Sequence, residues 1–147
     1  MRFIMTGPKR VFIDSSGWIE FILKNERYHR PVVDYILAEV EKSTKMFTSD
    51  YVLDESYTRL LTGQGWGAAK DLNQAVDKLV KAKQLLVLWT DETLYNKAWR
   101  YFEKYREHEL SFTDATVVTM MSDLKLDVIV TLDKGFGKVG LSTEPKV

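Results

Sequence analysis

Four acidic residues occupy positions where carboxylates can bind a cation or take part in catalysis. Asp14 directly follows the short apolar segment 11–13, and Asp133 directly follows the apolar segment 128–132. Ligands of an open parallel sheet gather at the carboxyl ends of its strands, so these two acids share one crevice if the two strands are neighbours. Each acid alone also fits a simpler role, because Asp14 could cap the next helix and Asp133 could bond its own backbone in a turn.

Asp114 and Glu55 lie within predicted helices. Asp114 shares a helical face with Val117 and Met121, which points it toward the core, where a carboxylate needs a cation, hydrogen-bond donors or a raised pKa. Its place in the first helical turn is an equally good explanation, because the helix dipole stabilises an anion there. Glu55 falls nearly opposite the apolar face of its helix, and Asp54 flanks that face more closely. Periodicity therefore predicts that Glu55 is a solvated surface residue, unless the helix lies across the rim of the sheet.

The composition excludes several other kinds of chemistry. The chain of 147 residues has no cysteine and only two histidines, which excludes a disulfide framework, a thiolate zinc site, a cysteine nucleophile and a histidine-rich metal cage. Clustered carboxylates repel one another unless a cation neutralises them, and oxygen ligands alone favour Mg²⁺ or Mn²⁺. One role of such a site is to activate water for displacement at phosphorus. The net charge of 0 argues against a strongly basic nucleic-acid binder.

Strands and helices alternate along the chain. Short apolar strands are predicted at residues 11–13, 45–48, 85–89 and 128–132, with a weak strand near 141–142. Helical periodicity predicts helices at 15–23, 31–40, 50–61, 68–79, 91–105 and 113–125, and their candidate N-caps include Ser15 or Ser16, Ser49 and Thr113. This alternation predicts one α/β domain with a parallel sheet between helices. The sequence contains no signal peptide or membrane span, so the cytoplasm is the expected location.

Four segments, taken together, resemble the PIN-domain ribonucleases and, more narrowly, the VapC-type toxins of bacterial and archaeal toxin–antitoxin pairs: VFIDSSGW, TSDYVLDESYTRLL, LSFTDATVV and VIVTLDKGF. The resemblance covers residues 11–136 and depends on the combination and order of the motifs. It implies a PIN-like three-layer α/β/α sandwich with a central, mostly parallel sheet of four or five strands. It also implies that residues 1–10 are an N-terminal extension and that residues 11–147 form a single domain.

The resemblance implies a metal-dependent endoribonuclease. It matches Asp14, Asp114 and Asp133 to ligands of one or two Mg²⁺ or Mn²⁺ ions. It matches Glu55, rather than Asp54, to a ligand of a second ion or to the group that orients the attacking water. The resemblance also implies that the small hydroxyl residues Ser15, Ser111 and Thr113 donate hydrogen bonds to these ligands, to waters or to the phosphate. The partners implied are an RNA substrate, a cognate antitoxin and a second copy of the chain in a homodimer, and inhibition of translation is the common theme of such toxins.

Basic residues near the site are the candidate contacts for RNA phosphates. Three of them lie on one face of a predicted helix and two flank the acid at position 133: Lys97, Arg100, Lys104, Lys134 and Lys138. Taken singly, each of these residues is more typical of a solvated surface.

Two other functions remain open. A PIN-like fold used as a binding or scaffold module would have an incomplete metal site, whereas all four acids are present here. A Mg²⁺-dependent phosphohydrolase of the haloacid-dehalogenase kind would use Asp14 as its nucleophile. That family needs a second aspartate two residues later, where this chain has Ser16.

Overall fold

A parallel sheet forms the centre of the computed structural model, which describes residues 8–147. Its five strands are β1 (Arg10–Ile13), β2 (Lys45–Ser49), β3 (Leu85–Leu88), β4 (Val128–Val130) and β5 (Thr143–Glu144). They lie in the order β3-β2-β1-β4-β5, and each neighbouring pair is parallel. β1 therefore occupies the middle of the sheet, between β2 and β4. The predicted α/β fold with a parallel sheet of four or five strands is confirmed.

Seven α-helices connect the strands in the described part of the chain: α1 (Ser15–Ile22), α2 (His29–Glu41), α3 (Asp50–Gln64), α4 (Trp66–Lys81), α5 (Glu92–Lys104), α6 (Phe112–Leu124) and α7 (Gly135–Lys138). Among these helices, α1 contacts α2, α3 and α4, while α5 packs on α6. The predicted three-layer arrangement is confirmed, and α7 is an element that the sequence did not predict. No helix of residues 8–147 has the length and apolarity needed to cross a membrane.

The centre of the sheet is apolar because its strands are covered on both faces. The side chains of Phe12 and Ile129, which are partners in the pairing of β1 with β4, are fully buried. Trp18 of α1 is also fully buried, and its Nε1 donates a hydrogen bond of 2.9 Å to Oγ1 of Thr48. That hydroxyl donates in turn to the carbonyl oxygen of Ile13 at 2.9 Å. These bonds join α1 to the ends of β1 and β2.

Gly17 lets α1 approach the end of β4 closely. A Cβ atom at this position would lie 2.8 Å from the carbonyl oxygen of Val130, a distance that requires the backbone to move. The amide of Asp14 donates to the same carbonyl at 3.0 Å. The start of α1 and the end of β4 therefore meet through their main chains.

Two of the predicted helix N-caps were wrong, and one is confirmed. Asp14 occupies the N-cap position of α1 without a side-chain capping bond, so neither Ser15 nor Ser16 caps that helix. Ser111, rather than Thr113, caps α6. The reason is reciprocity, because Ser111 stands three residues before Asp114 and the two exchange capping bonds. The prediction of Ser49 as the cap of α3 is confirmed, since its side chain accepts a hydrogen bond from the amide of Val52.

The first strand begins close to its predicted position. β1 begins at Arg10, one residue before the predicted strand. The backbone amide of Arg10 donates to Oδ2 of Asp127 at 2.8 Å, so this residue is part of the folded sheet. Of the N-terminal extension expected at residues 1–10, residues 1–7 lie outside the described part of the chain.

Candidate active site

A cavity of about 540 Å³ opens where the chain leaves β1 and β4. We call it the acidic cavity, because seven carboxylate side chains line it: Asp14, Glu20, Glu26, Glu55, Glu109, Asp114 and Asp133. Its other lining residues are Ser15, Ser16, Ile19, Arg59, Ser111 and Leu132. All four acids predicted from the sequence therefore surround one cavity, together with three acids that were not predicted.

Asp14 lies at the floor of the acidic cavity and is only 3% exposed. Its Oδ2 accepts a hydrogen bond of 2.9 Å from Oγ1 of Thr131. Its Oδ1 is buried and has no hydrogen-bond partner among the described residues. The side chain does not cap α1, so the simpler role considered for this residue does not explain its position. A buried carboxylate with one unpartnered oxygen is destabilising unless another group completes it.

The environment of Asp14 favours its neutral form. Burial raises the pKa of Asp14 from 3.8 to about 7, and the negative charges of Asp114 and Glu55 act in the same direction. Hydrogen bonds from the backbone of Ser15 and from the side chain of Thr131 oppose the shift without cancelling it. A cation in the cavity would oppose this shift, because it stabilises the ionised carboxylate.

Asp133 is positioned by a hydrogen-bond network that the sequence did not reveal. Its amide donates to Oγ1 of Thr131 at 3.0 Å, and the amide of Leu132 donates to Oγ of Ser16 at 2.8 Å. Because Thr131 gives its own proton to Asp14, the Ser16 hydroxyl donates in the 3.1 Å contact between the two hydroxyl groups. The network joins the end of β4 to the start of α1, so Asp14 and Asp133 face the same cavity.

The turn role considered for Asp133 is also observed. Its Oδ1 accepts a hydrogen bond of 2.8 Å from the amide of Gly135. The side chain is exposed, so it can serve the turn and still face a ligand in the cavity.

Asp114 combines the two roles that the sequence left open. Its Oδ2 accepts a hydrogen bond from the amide of Ser111 at 3.1 Å, and its amide donates to Oγ of Ser111 at 3.0 Å. The residue therefore caps α6 and also lines the acidic cavity. Burial raises the pKa of Asp114, with further contributions from Asp133 and Glu55, although the bonds to Ser111 oppose the shift.

Glu55 faces the acidic cavity, and the expectation of a solvated surface position was wrong. Its Oε1 accepts a hydrogen bond of 2.5 Å from Oγ of Ser15, whereas the neighbouring Asp54 is exposed. The predicted apolar face of α3 had included Leu61, which is in fact 48% exposed. Without Leu61, the buried face rotates toward Val52 and brings Glu55 to its edge.

The three predicted hydroxyl residues differ in their positions. Ser15 donates to Glu55, and Ser111 holds Asp114, as described above. Thr113 does not line the acidic cavity, and its carbonyl oxygen accepts a hydrogen bond from Thr116. Thr131, which was not among the predicted site residues, bonds Asp14 and Asp133 directly, and Ser16 bonds Thr131 and the amide of Leu132.

The predicted RNA-binding residues lie outside the acidic cavity. Three of them line a separate depression of about 270 Å³ with Tyr101 and Asp123: Lys97, Arg100 and Lys104. There, Nζ of Lys97 forms an ion pair of 3.0 Å with Asp123. Lys134 lines a third depression, which shares Leu132 and Asp133 with the acidic cavity. Lys138 is an exposed residue of α7.

Two of the unpredicted residues of the acidic cavity had a signal in the sequence. Glu20 is the one charged residue of α1, whose other residues are apolar or small. Burial raises the pKa of Glu20, and its Oε2 has no partner among the described residues. Arg59 follows Glu55 by four residues, which places both on one face of α3. We found no comparable signal for Glu26 and Glu109.

The donor chemistry of the acidic cavity fits a divalent cation. The cavity presents carboxylate oxygens, among them the buried and unpartnered Oδ1 of Asp14, and hard oxygen donors suit Mg²⁺ or Mn²⁺. In residues 8–147, however, no three acidic or histidine side chains are already grouped as ligands of one ion. Binding of a cation would therefore require carboxylates to turn further into the cavity.

Comparison with known proteins identifies a family. The model of the PIN domain family matches residues 11–141 of the chain. No curated protein matches the chain in sequence.

Three solved structures share the fold. VapC20 of Mycobacterium tuberculosis, a toxin that cleaves the sarcin-ricin loop, is 22% identical with a TM-score of 0.77, over 89% of this chain and 95% of that chain. FitAcB from Neisseria gonorrhoeae is 15% identical with a TM-score of 0.62, over 92% and 96% of the two chains. FitAB bound to the IR36 DNA fragment is also 15% identical, with a TM-score of 0.63 over 91% and 93%.

Proposed function

The chain belongs to the PIN domain family, and from this premise we propose that it is an endoribonuclease that hydrolyses RNA phosphodiester bonds with Mg²⁺ or Mn²⁺. The observation that carries the proposal is the buried, unpartnered Oδ1 of Asp14 in a cavity also lined by Glu55, Asp114 and Asp133. A structural carboxylate would have its oxygens satisfied by the protein itself. A carboxylate that binds a cation keeps an oxygen free.

Asp14, Asp114 and Asp133 are the proposed ligands of one or two Mg²⁺ or Mn²⁺ ions. Such an ion, when bound, supplies a water of lowered pKa and stabilises the negative charge of the displacement at phosphorus. This chemistry requires no nucleophilic side chain, in agreement with the absence of cysteine from the sequence.

The surrounding residues hold these carboxylates in place. Thr131 fixes Oδ2 of Asp14 and leaves Oδ1 for the cation, while Ser111 holds Asp114 at the start of α6. The bond from Ser15 directs Glu55 into the cavity, where it either orients the attacking water or binds a second ion. Because the pKa of Asp14 is raised to about 7, cation binding displaces a proton and becomes weaker as the pH falls below that value.

We further propose that the protein is the toxin of a toxin–antitoxin pair and inhibits translation. The similarity of its motifs to VapC-type toxins and of its fold to VapC20 supports this role. The proposed partners are an RNA substrate, a cognate antitoxin and a second copy of the chain. A small reading frame for an antitoxin beside the gene would support the pair, and a sedimentation equilibrium showing only monomer at micromolar concentration would refute the homodimer.

The nuclease proposal is tested by comparing three proteins on transfer RNA and ribosomal RNA. Wild type should cleave RNA with Mg²⁺ or Mn²⁺ and stop when EDTA is added. Asp114→Asn should retain the fold and lose at least about a thousandfold of the rate, because it removes a proposed ligand of the ion. The matched control is Asp123→Asn, a change of the same kind near the other end of α6 and outside the acidic cavity, which should cleave like wild type.

Two results would contradict the proposal. Cleavage that persists in EDTA or in Asp114→Asn would indicate a contaminant or a different mechanism. A wild-type protein that cleaves none of these RNAs and takes up no Mn²⁺ in calorimetry would favour a PIN-like binding or scaffold module.

A further inference from the structure

Arg59 is the one basic residue that lines the acidic cavity in the described part of the chain. It extends from α3 one turn after Glu55, and its side chain is exposed at the rim of the cavity. An RNA strand that reaches the carboxylates must therefore pass seven acidic side chains and this single guanidinium.

Arg59 is not used to neutralise the carboxylates around it. Among residues 8–147 it forms no ion pair within 4.0 Å and no side-chain hydrogen bond. Its spacing from Glu55 is the one at which a glutamate and an arginine commonly pair on a helix. Glu55 is bonded to Ser15 instead, which leaves the guanidinium available.

Other acids near cations in this protein show what a structural pairing looks like. Lys9 lies 3.1 Å from the buried Glu39, and Lys97 lies 3.0 Å from Asp123 on a neighbouring helix. In both cases the lysine neutralises a carboxylate of the protein itself. Arg59 differs from these lysines, because it stands among more carboxylates and pairs with none of them.

We propose that Arg59 forms a binding subsite for an RNA phosphate, next to the phosphate that is cleaved. A guanidinium suits this role because it is always charged and its planar donors match two phosphate oxygens. The carboxylates alone repel a polyanion, and a cation held among them attracts only the phosphate at the centre. Arg59 supplies attraction at the rim. This inference rests on the proposed nuclease function and adds a residue for holding the substrate.

The test compares Arg59→Ala and Arg59→Lys with wild type and with Arg30→Ala. Arg30 is an exposed arginine of α2, outside the acidic cavity, with a single contact of 3.8 Å to Asp34. Steady-state cleavage of one labelled RNA, cut by wild type in Mn²⁺, should give a KM that is about ten- to a hundredfold higher for Arg59→Ala. The kcat should stay within about twofold, Arg59→Lys should fall between, and Arg30→Ala should match wild type.

A binding measurement separates a phosphate contact from a structural role. The three arginine substitutions are placed in Asp114→Asn, which prevents cleavage, and the anisotropy of the same labelled RNA is measured at several NaCl concentrations. Loss of one phosphate contact should reduce the slope of log K against log salt by about 0.7 for a single strand. Thermal melting should show the same stability for all of these variants, because Arg59 is exposed and unpaired in the described structure.

The outcomes distinguish this inference from the proposed function. If wild type cleaves RNA and Arg59→Ala has the KM and salt slope of Arg30→Ala, the phosphate subsite is wrong and the nuclease assignment stands. A fall in kcat at constant KM would also overturn the subsite, because it would place Arg59 in the chemical step. If wild type cleaves no RNA, the proposed function fails, and the inference fails with it.

Discussion

Glu39 and Asp14 are buried to nearly the same extent, with exposed fractions of 2% and 3%, but their surroundings are opposite. Oε2 of Glu39 accepts a hydrogen bond of 2.5 Å from Thr44, and Oε1 accepts one of 3.1 Å from Lys9. Lys42 adds a weaker contact at 3.9 Å. Asp14 receives one side-chain hydrogen bond, from Thr131, and its second oxygen is unpartnered among the described residues.

The two carboxylates show how burial alone fails to distinguish a structural acid from a functional one. Burial acts to raise the pKa of Glu39, but the bonds from Thr44 and Lys9 outweigh it, and its pKa is lowered. Burial raises the pKa of Asp14 to about 7, because no cation among the described residues compensates it. Both oxygens of Glu39, which lies in α2, are therefore satisfied by hydrogen bonds within the fold. In the acidic cavity, Oδ1 of Asp14 has no partner among the described residues, so the fold leaves this carboxylate unsatisfied.

The largest effect that would test this contrast is the pH dependence of stability in EDTA. Between pH 4 and 7 folded Asp14 holds a proton that the unfolded chain releases, so a rise in pH favours unfolding. Because the pKa of Asp14 is about 7 in the folded protein, the free energy of unfolding of wild type should fall by about 3 kcal/mol between pH 5 and 8. Urea unfolding at four pH values measures it.

Asp14→Asn is the variant that isolates this effect. It should remove most of the fall, and a smaller slope of the same sign should remain, because the pKa values of Glu20 and Asp114 are also raised. Saturating Mn²⁺ should flatten the wild-type profile by replacing the proton. A flat profile for wild type in EDTA would mean that Asp14 is compensated by its surroundings and that the contrast with Glu39 is false.

At Glu39 we expect a smaller pH dependence of the free energy of unfolding, with the opposite sign. Because the pKa of Glu39 is lowered, its charge stabilises the fold at neutral pH, and that stabilisation is lost as acidification protonates the carboxylate. Glu39→Gln should lower the free energy of unfolding by about 2 kcal/mol at pH 7 and by less at pH 3, since it weakens charge-assisted hydrogen bonds. RNA cleavage should not change. An equal loss at both pH values would indicate a packing effect instead of a charge effect.

The smallest effect concerns the support of Asp114. Ser111→Ala removes the side chain that accepts the amide of Asp114, and loss of such a cap should destabilise the protein by about 1 kcal/mol. Thr113→Ala is the matched control, because Thr113 does not cap α6, and its effect should be within about 0.5 kcal/mol. Urea unfolding at pH 7 compares the two variants. Equal effects would mean that the capping contact does not support Asp114.

The strand-end acids were predictable because they depend on sheet order alone. Once β1 and β4 are parallel neighbours, Asp14 and Asp133 must emerge at the same edge of the sheet. The short apolar segments in the sequence were enough to predict parallel strands. The position of Asp114 in the first turn of α6 made it a predictable site residue, but the same position left its role ambiguous. The first turn of α6 stabilises an anion and also faces the cavity.

Glu55 and Ser111 illustrate what periodicity could not predict. The face of α3 was misplaced because Leu61, an apolar residue, is directed toward solvent. Only the motif resemblance placed Glu55 in the site. Thr113 and Ser111 are both reasonable caps by residue type, and the reciprocal bond from Asp114 decides between them. The Ser16–Thr131 contact joins residues 115 positions apart, which no local pattern in the sequence reports.

Gly17 has a consequence for how the site can change through mutation. The close approach of its backbone to the carbonyl of Val130 fixes the spacing between α1 and the end of β4 without a side chain. Asp14 precedes α1 and Asp133 follows β4, so this main-chain contact helps to set the distance between two carboxylates of the acidic cavity. A methyl group added at position 17 would push α1 away from the end of β4. The site would widen, although none of its carboxylates would be changed.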